Sequence, residues 1–398
     1  MPHYKKRIKE ERYRLYLGRS EKVLKDLPDN FVDSIVCDPP YGLAFMGKAW
    51  DYDVPSVKLW KQVFRVLKPG GHLIAFFGTR TYHRGVVNIE DAGFEIRDQI
   101  AWVYSSGFPK GLNVSKSIDK TLGTEHLRKV VGEHKSPAGN KTHRPNRSLL
   151  LPGMGEKGEV KITTGGSKEA QAWDGWNTSL KPAMEPIVVA MKPVGKGENT
   201  ARNVMKYGTG AMNIQGCRIQ SKYDSGQQGR WPANVIHDGS PESIRLFSSE
   251  REARFFFCPK ASIQDRDEGL EKIKARSMGS KGNGLQRVCA ICNSNIMKGC
   301  DCPDRAYIHP AVRKNHHPTV KPTHLMAYLC RLITRPEGII LDPFMGSGST
   351  GKAAMREGFR FIGIDRDPSY FEVAHTRIDH ASKKYALRRK SLFPNKKS

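Results

Sequence analysis

Asp38, Pro39, Pro40 and Tyr41 follow the apolar run SIVC at 34–37. A carboxylate at the C-terminal end of a strand stands where ligands bind in open α/β sheets. Pro39 and Pro40 fix φ and remove backbone donors, so the carbonyls around them become rigid acceptors. Tyr41 adds a flat aromatic face. A carboxylate acceptor, a fixed carbonyl acceptor and a ring together suit a planar amine whose two N–H bonds are held while its ring is stacked. The alternative is a rigid turn capped by an Asp.

A second constellation is IILDPFMGSGST at 339–350. An apolar strand ends in Asp342, Gly346 and Gly348 make a turn, and a helix follows. Glycines let the backbone approach a ligand, and the helix start offers free N–H groups. The next strand ends in Asp365, in FIGIDRD, where a ribose diol would be bound. The spacing departs from G-x-G-x-x-G, and no G-K-[ST] follows, which argues against a nucleoside triphosphate. A plain strand-to-helix turn is the alternative.

The third is CAICNSNIMKGCDC, with Cys289, Cys292, Cys300 and Cys302. Two close pairs can place four thiolates around one tetrahedral zinc, with His309 as a substitute ligand. A closed site of four thiolates leaves no open position, so the expected zinc is structural. Free or redox-active thiols are the alternative. Cys37 and Cys258 read as buried thiols.

The elements that must position these residues alternate at both chain ends. Ser20 can cap a short helix with Val23, Leu24 and Leu27. VDSIVC is a strand, and Leu59, Val63, Val66 and Leu67 have helical spacing before the stop Pro69-Gly70-Gly71. HLIAFFG and DQIAWVY are further strands. Residues 105–180 lose apolar periodicity and read as a long loop, and EPIVVAMKP returns to strand. Beyond 318, Thr323 opens a helix, GIILDPF and FRFIGID are strands, and Ser369 with Glu372 makes a capping box for the last helix. The fold class is α/β, interrupted by a long insertion.

Of the 398 residues, 38% are hydrophobic, enough for a core, and 66 Lys and Arg against 40 Asp and Glu give a net charge of +26. An excess spread along the chain points to a polyanion, nucleic acid first. The N-terminus MPHYKKRIKEERYRLYL has no apolar leader, and no run approaches the ~20 apolar residues of a membrane span. With four cysteines crowded together, this reads as a cytoplasmic protein with no membrane partner.

DPPY together with HPTVKPTHLMAYLCRLITRPEGIILDPFMGSGSTGKAAMREGFRFIGIDRDPSYFEVAHTRI at 317–378 resembles the S-adenosylmethionine-dependent amino-methyltransferases of DNA. The catalytic motif comes first and the cofactor motif last, as in their β group. LYLGRSEKVLKDLPDNFVDSIVCDPPY at 15–41 shares the likeness, SLKPAMEPIVVAMKP at 179–193 does so more weakly, and GRWPANVIHDGS at 229–240 is similar to phage-borne members.

The resemblance implies a Rossmann-like methyltransferase sheet assembled from both chain ends. Asp38, Pro39, Pro40 and Tyr41 would hold a flipped base. Phe344, Gly346 and Gly348, with Pro343, Ser347 and Ser349, would line the cofactor pocket behind Asp342. Asp365 would hold the ribose, and Lys321 and Pro322 would flank the methionine end. It implies double-stranded DNA as partner, a possible homodimer, and adenine N6 as target, because cytosine N4 enzymes favour Ser in the first motif position. The expected organisation is a catalytic half at 1–193, an inserted target-recognition region at 194–315 with a zinc module at 289–302, a cofactor half at 316–380, and a basic tail at 381–398. The cysteine cluster lies outside the family pattern. Action on RNA or a protein amide, or nucleic-acid binding without catalysis, remain the rival readings.

Overall fold

Every residue of the run Val32–Cys37 is buried, as a strand covered on both faces requires. In a computed structural model of the chain this strand lies at the centre of a ten-stranded sheet. The structure describes residues 3–44, 49–107, 111–135, 159–219, 229–247, 255–277, 288–289, 307–308 and 312–392. It forms two compact units. The first comprises Met1–Ser105, Met184–Lys274 and Lys314–Ser398; the second comprises Ser106–Ala183 and Ala275–Arg313. Residues of the expected insertion at 194–315 therefore fall in both units.

The sheet belongs to the first unit. Its strands are β1 (Lys6–Lys9), β2 (Tyr13–Leu17), β3 (Val32–Cys37), β4 (Leu67–Phe76), β5 (Glu95–Val103), β6 (Met184–Met191), β7 (Val235–His237), β8 (Phe256–Phe257), β9 (Ile339–Asp342) and β10 (Arg360–Asp365). Their order is β1-β2-β10-β9-β3-β4-β6-β5-β7-β8. β2, β10, β9, β3 and β4 run parallel, and β6 inserts antiparallel between β4 and β5. Both chain ends thus build one sheet, as expected.

This order places the two motifs together. β9 pairs with β3, Leu341 opposite Ile35. From β3 the chain proceeds to one side, to β4, and from β9 to the other, to β10. The crevice at such a reversal, beyond the C-terminal strand ends, is where open α/β sheets bind ligands. Asp38 follows β3 and Asp342 ends β9.

Helix α1 (Val57–Val66) begins at Ser56, whose hydroxyl accepts from the Leu59 N–H, and it buries Leu59, Trp60, Val63 and Val66. Helices α2 (Thr323–Ile333), α3 (Ser349–Glu357) and α4 (Pro368–Leu392) complete the site's frame.

Four local expectations change. Pro69-Gly70-Gly71 does not stop the chain between elements: it lies inside β4, absorbed by a register shift between Val32 and Ser34, with Gly70 at φ +73°. The last helix is capped by Asp367, whose carboxylate accepts the N–H groups of Ser369 and Tyr370, so Ser369 and Glu372 are not its box. That helix runs on to Leu392, which makes much of the basic tail helical. Residues 105–180 are not uniformly irregular either. They hold a helix at Val114–Leu122, a hairpin of Val130–Lys135 with Glu159–Thr163, and a short helix at Lys168–Gln171.

Candidate active site

The end of β3 delivers Asp38 into a cluster of buried charge. Its Oδ1 accepts the Tyr41 hydroxyl at 2.9 Å, and its Oδ2 lies 2.7 Å from the Lys321 ammonium. Lys321 also donates to the Tyr41 hydroxyl oxygen at 2.9 Å and stands 3.3 Å from Glu185. The Tyr41 hydroxyl lies 3.2 Å from the other face of this pair, Glu185 Oε2. A phenol has one proton to donate. With Asp38 taking it, Glu185 depends on Lys321 and on the Tyr104 hydroxyl, which donates to its Oε1 at 3.3 Å.

The cluster is poorly solvated: the Lys321 side chain is 7% exposed and that of Asp38 20%. Burial raises the Asp38 pKa, Lys321 and Tyr41 pull against it, and the Glu185 charge adds to the rise. Burial also acts on Glu185, but Lys321 and Lys260 outweigh it and hold its pKa below the ordinary value. Burial works against the Lys321 charge, and the two carboxylates reverse that, so its pKa rises. Tyr41 is held as the neutral phenol by burial and by both carboxylates. Lys321 is therefore the cation that opposes the rise in the Asp38 pKa.

The turn after the motif is pinned from below. The Asp51 carboxylate, buried, accepts from the N–H groups of Tyr41, Gly42 and Leu43. The Thr81 hydroxyl donates to the Tyr41 carbonyl. Gly42 takes φ +67°, where a side chain would be strained. Pro39 is buried and Pro40 half-buried. Among the described residues no donor is paired with the Pro39 carbonyl, so an incoming amine could use it.

On the neighbouring strands, Asp342 is buried and accepts the Phe344 N–H at 2.9 Å; burial pushes its pKa to about 7. Asp365 accepts the N–H groups of Gly346 at 2.7 Å and Asp367 at 2.8 Å, one on each oxygen, and burial pushes its pKa to about 6. Each oxygen keeps a lone pair, and a desolvated carboxylate gains from any further donor such as a diol hydroxyl. Gly346 and Gly348 have φ of +53° and +77°, and a Cβ on Gly346 would lie 2.9 Å from the His317 ring. Phe344 packs edge-on against Trp60 at 5.9 Å. These residues fit a nucleoside with a hydroxylated ribose.

The other residues expected at the cofactor have partners within the chain. Ser347 and Ser349 are buried, and their hydroxyls accept from Arg377, which also donates to the Ser347 carbonyl at 2.6 Å. They brace the glycine turn from behind. The Pro343 carbonyl accepts from the Ser20 hydroxyl. Pro322 is buried at the N-terminal end of α2. Lys321, expected beside the cofactor, has its ammonium on Asp38 and Glu185.

Three carboxylates of this frame are absent from the sequence reading: Glu185, Asp51 and Asp265. Asp265 accepts the Thr323 N–H at 2.8 Å and its hydroxyl at 2.5 Å, so the cap of α2 comes from a distant residue and not from Thr323 itself. It also meets the buried Lys352 at 2.9 Å, and its carbonyl accepts from Lys352 and Arg377. Glu268 meets Lys352 at 2.8 Å. A charge opening an apolar strand, as in EPIVVAM, was the one visible signal, for Glu185.

Cys37 and Cys258 are buried thiols, and burial pushes the Cys258 pKa to about 12. Cys292, Cys300, Cys302 and His309 lie outside the described residues. Cys289 is described as backbone in a short strand, Val288–Cys289, paired with Tyr307–Ile308. Among the described residues no group of three or more His, Cys, Asp and Glu could hold a metal ion, and no helix is long and apolar enough to cross a membrane.

Compared with known proteins, residues 32–376 match a family model described as DNA methylase, of N6/N4 type. The type II methyltransferase M.HindIII of Haemophilus influenzae is 23% identical over 324 residues, covering 81% of this chain and 68% of that protein. The type II methyltransferase M2.DpnII of Streptococcus pneumoniae is 46% identical over 63 residues, 16% of this chain and 24% of that protein. Among solved structures, the PvuII DNA methyltransferase (cytosine-N4-specific) aligns at 15% identity over 96% of this chain and 95% of its own, with a TM-score of 0.46. The M1.HpyAVI–SAM complex aligns at 15% identity over 92% and 99%, with a TM-score of 0.39.

Proposed function

The chain belongs to the N6/N4 DNA methylase family, and from that premise we propose that it transfers a methyl group from S-adenosylmethionine to the exocyclic N6 of adenine in duplex DNA. One observation carries this reading: Asp38 and Asp342 follow adjacent parallel strands at the reversal of strand order. An acceptor cluster for an amine and a nucleoside cradle thereby share one crevice.

When bound, S-adenosylmethionine supplies an electrophilic methyl group on a sulfonium. Asp365 is the residue for its ribose, with Phe344 and the turn at Gly346 and Gly348 beside it. Asp342 holds that turn through the Phe344 N–H. The chain's remaining task concerns the amine. An exocyclic amine is a weak nucleophile because its lone pair is delocalised into the ring. Asp38 and the Pro39 carbonyl accept its two N–H bonds, favour a pyramidal nitrogen and free the lone pair. Asp38 also offsets the positive charge that develops on nitrogen. Lys321 keeps Asp38 ionised, and Asp51 holds the turn that aims it. Tyr41 offers a ring to the base, which must leave the duplex to reach this site. Separately, Cys289, Cys292, Cys300 and Cys302 are our proposed ligands for one structural zinc.

The test is Asp38→Ala. The variant should fold, bind S-adenosylmethionine, and transfer methyl groups to duplex DNA about a hundred- to a thousandfold more slowly, the loss typical of one preorganised transition-state contact. Wild-type turnover in that variant would reduce the motif to a rigid turn. Labelled transfer to DNA, RNA and protein in parallel separates the substrate classes, and modified-base sequencing of the methylated DNA separates N6-adenine from N4-cytosine.

A further inference from the structure

Trp173 and Trp176 in the second unit have no part in the chemistry above, yet they are 44% and 60% exposed. Their rings meet edge to face, centroids 5.1 Å apart at 73°. Every residue from 171 to 183 is exposed. Large indoles are ordinarily covered in a folded unit, so a contiguous exposed pair points to a partner.

The turn that carries them is not a loose end. Asp174, between the two, accepts from the Ser115 hydroxyl at 2.6 Å and from the Gly165 N–H at 2.9 Å, and it lies 3.9 Å from Arg128. The Trp176 N–H donates to the Trp173 carbonyl, and the Trp176 carbonyl accepts the Val114 N–H at 3.1 Å. Below them Asp119, fully buried, accepts from Thr124, Gly166, Ser167 and Arg128. A polar scaffold thus holds two apolar rings in the open. Rigid aromatic anchors of this kind lose little entropy on binding.

Charge identifies the partner. Residues 106–183 hold thirteen Lys and Arg against seven Asp and Glu, and Asp119 and Asp174 are already engaged by Arg128. The sequence of this segment is thus strongly cationic, which attracts a polyanion and repels a second copy of the same segment. Exposed aromatic rings in a cationic segment are the chemistry that stacks bases along a phosphate backbone.

We propose that Trp173 and Trp176 form a DNA-docking surface of the second unit, on which bases freed from the duplex stack. This rests on the DNA methyltransferase reading and adds to it a contact remote in sequence from both motifs.

The experiment uses the full chain, the double variant Trp173→Ala/Trp176→Ala and its conservative counterpart Trp173→Phe/Trp176→Phe. Binding is read by anisotropy of labelled single-stranded oligodeoxythymidine and of duplex DNA with one mismatch, at fixed salt. The Ala variant should lose roughly tenfold or more in DNA affinity, within the range seen for single base-stacking rings. Its melting temperature and its KM for S-adenosylmethionine should stay at the wild-type values, and the Phe variant should keep most of the affinity. Wild-type DNA affinity in the Ala variant overturns the proposal. So does loss of self-association with DNA affinity intact, which would assign the rings to a second copy. A wild-type chain that methylates no DNA would refute the proposed function, while the affinities in the same samples would still decide this surface.

Discussion

Replacing Lys321 by Met should convert Asp38 from an acceptor into a protonated acid. The ammonium lies 2.7 Å from Asp38 and 3.3 Å from Glu185, with little access to water. At an effective dielectric of about 20 the closer pair alone is attractive by roughly 6 kcal/mol before desolvation is counted. Removing one partner of a buried pair costs about 3–5 kcal/mol because the other charge is stranded. Here two carboxylates would be left with the hydroxyls of Tyr41 and Tyr104. Glu185 still has Lys260 lowering its pKa. Asp38 has no such help, and burial already raises its pKa. Asp38 is therefore the group that takes up a proton.

A protonated Asp38 cannot accept from the amine as a carboxylate does. Near neutral pH the variant should methylate duplex DNA about a hundred- to a thousandfold more slowly, with cofactor affinity preserved. The active form is the ionised one and its pKa has moved up, so the rate should climb again as pH rises into the alkaline range. Stability has the opposite sense. A carboxyl whose folded-state pKa exceeds its unfolded value of about 3.8 holds its proton more tightly when folded, so its contribution is full below that value and lost as pH rises through the folded pKa. The deficit against wild type should thus be smallest in acid. The assay is the initial rate at saturating S-adenosylmethionine across the pH range. A wild-type rate with an unchanged profile would refute the argument. So would a pH-independent loss accompanied by loss of cofactor binding, which would return Lys321 to the cofactor.

Two further outcomes follow from the site. Asp365→Ala should weaken S-adenosylmethionine by about 1–3 kcal/mol, the scale of a hydrogen bond to a charged group, and unchanged calorimetric affinity in a folded variant would remove Asp365 from the pocket. Purified protein should carry about one zinc per chain, and Cys289→Ser should lower metal content and stability more than cofactor binding; a metal-free preparation of full stability would sink the zinc assignment.

What could be read from the sequence is what leaves a local trace. Ile35–Cys37 is an apolar run because both faces of its strand are covered, and α1 shows its buried stripe at Leu59, Val63 and Val66. Asp342, Gly346 and Gly348 are legible because a strand, a positive-φ turn and a helix must follow one another in the chain. Roles set across the fold leave no such trace. Ser347 and Ser349 look like donors to a ligand, yet only the buried Arg377, from another helix, decides that they face inward. Tyr41 reads as a ring, while its hydroxyl oxygen accepts from Lys321, 280 positions away.

Asp265 makes the point physically. It lies in the expected target-recognition region, apart from both motifs, and its partners are 58 and 87 residues distant. It caps the first turn of α2, and Lys321 stands two residues before that turn, on the same stretch of backbone. The same carboxylate neutralises Lys352, which is buried on α3, directly behind the glycine turn. One side chain from the middle of the chain therefore braces both the backbone beside Lys321 and the helix that follows the glycine turn. Met184–Lys274, which carries Glu185 and Asp265, belongs to the same compact unit as both motifs. The two terminal motifs carry the residues of the proposed chemistry, but the contacts that hold Lys321 and its neighbouring backbone come in part from Glu185 and Asp265, which neither motif contains.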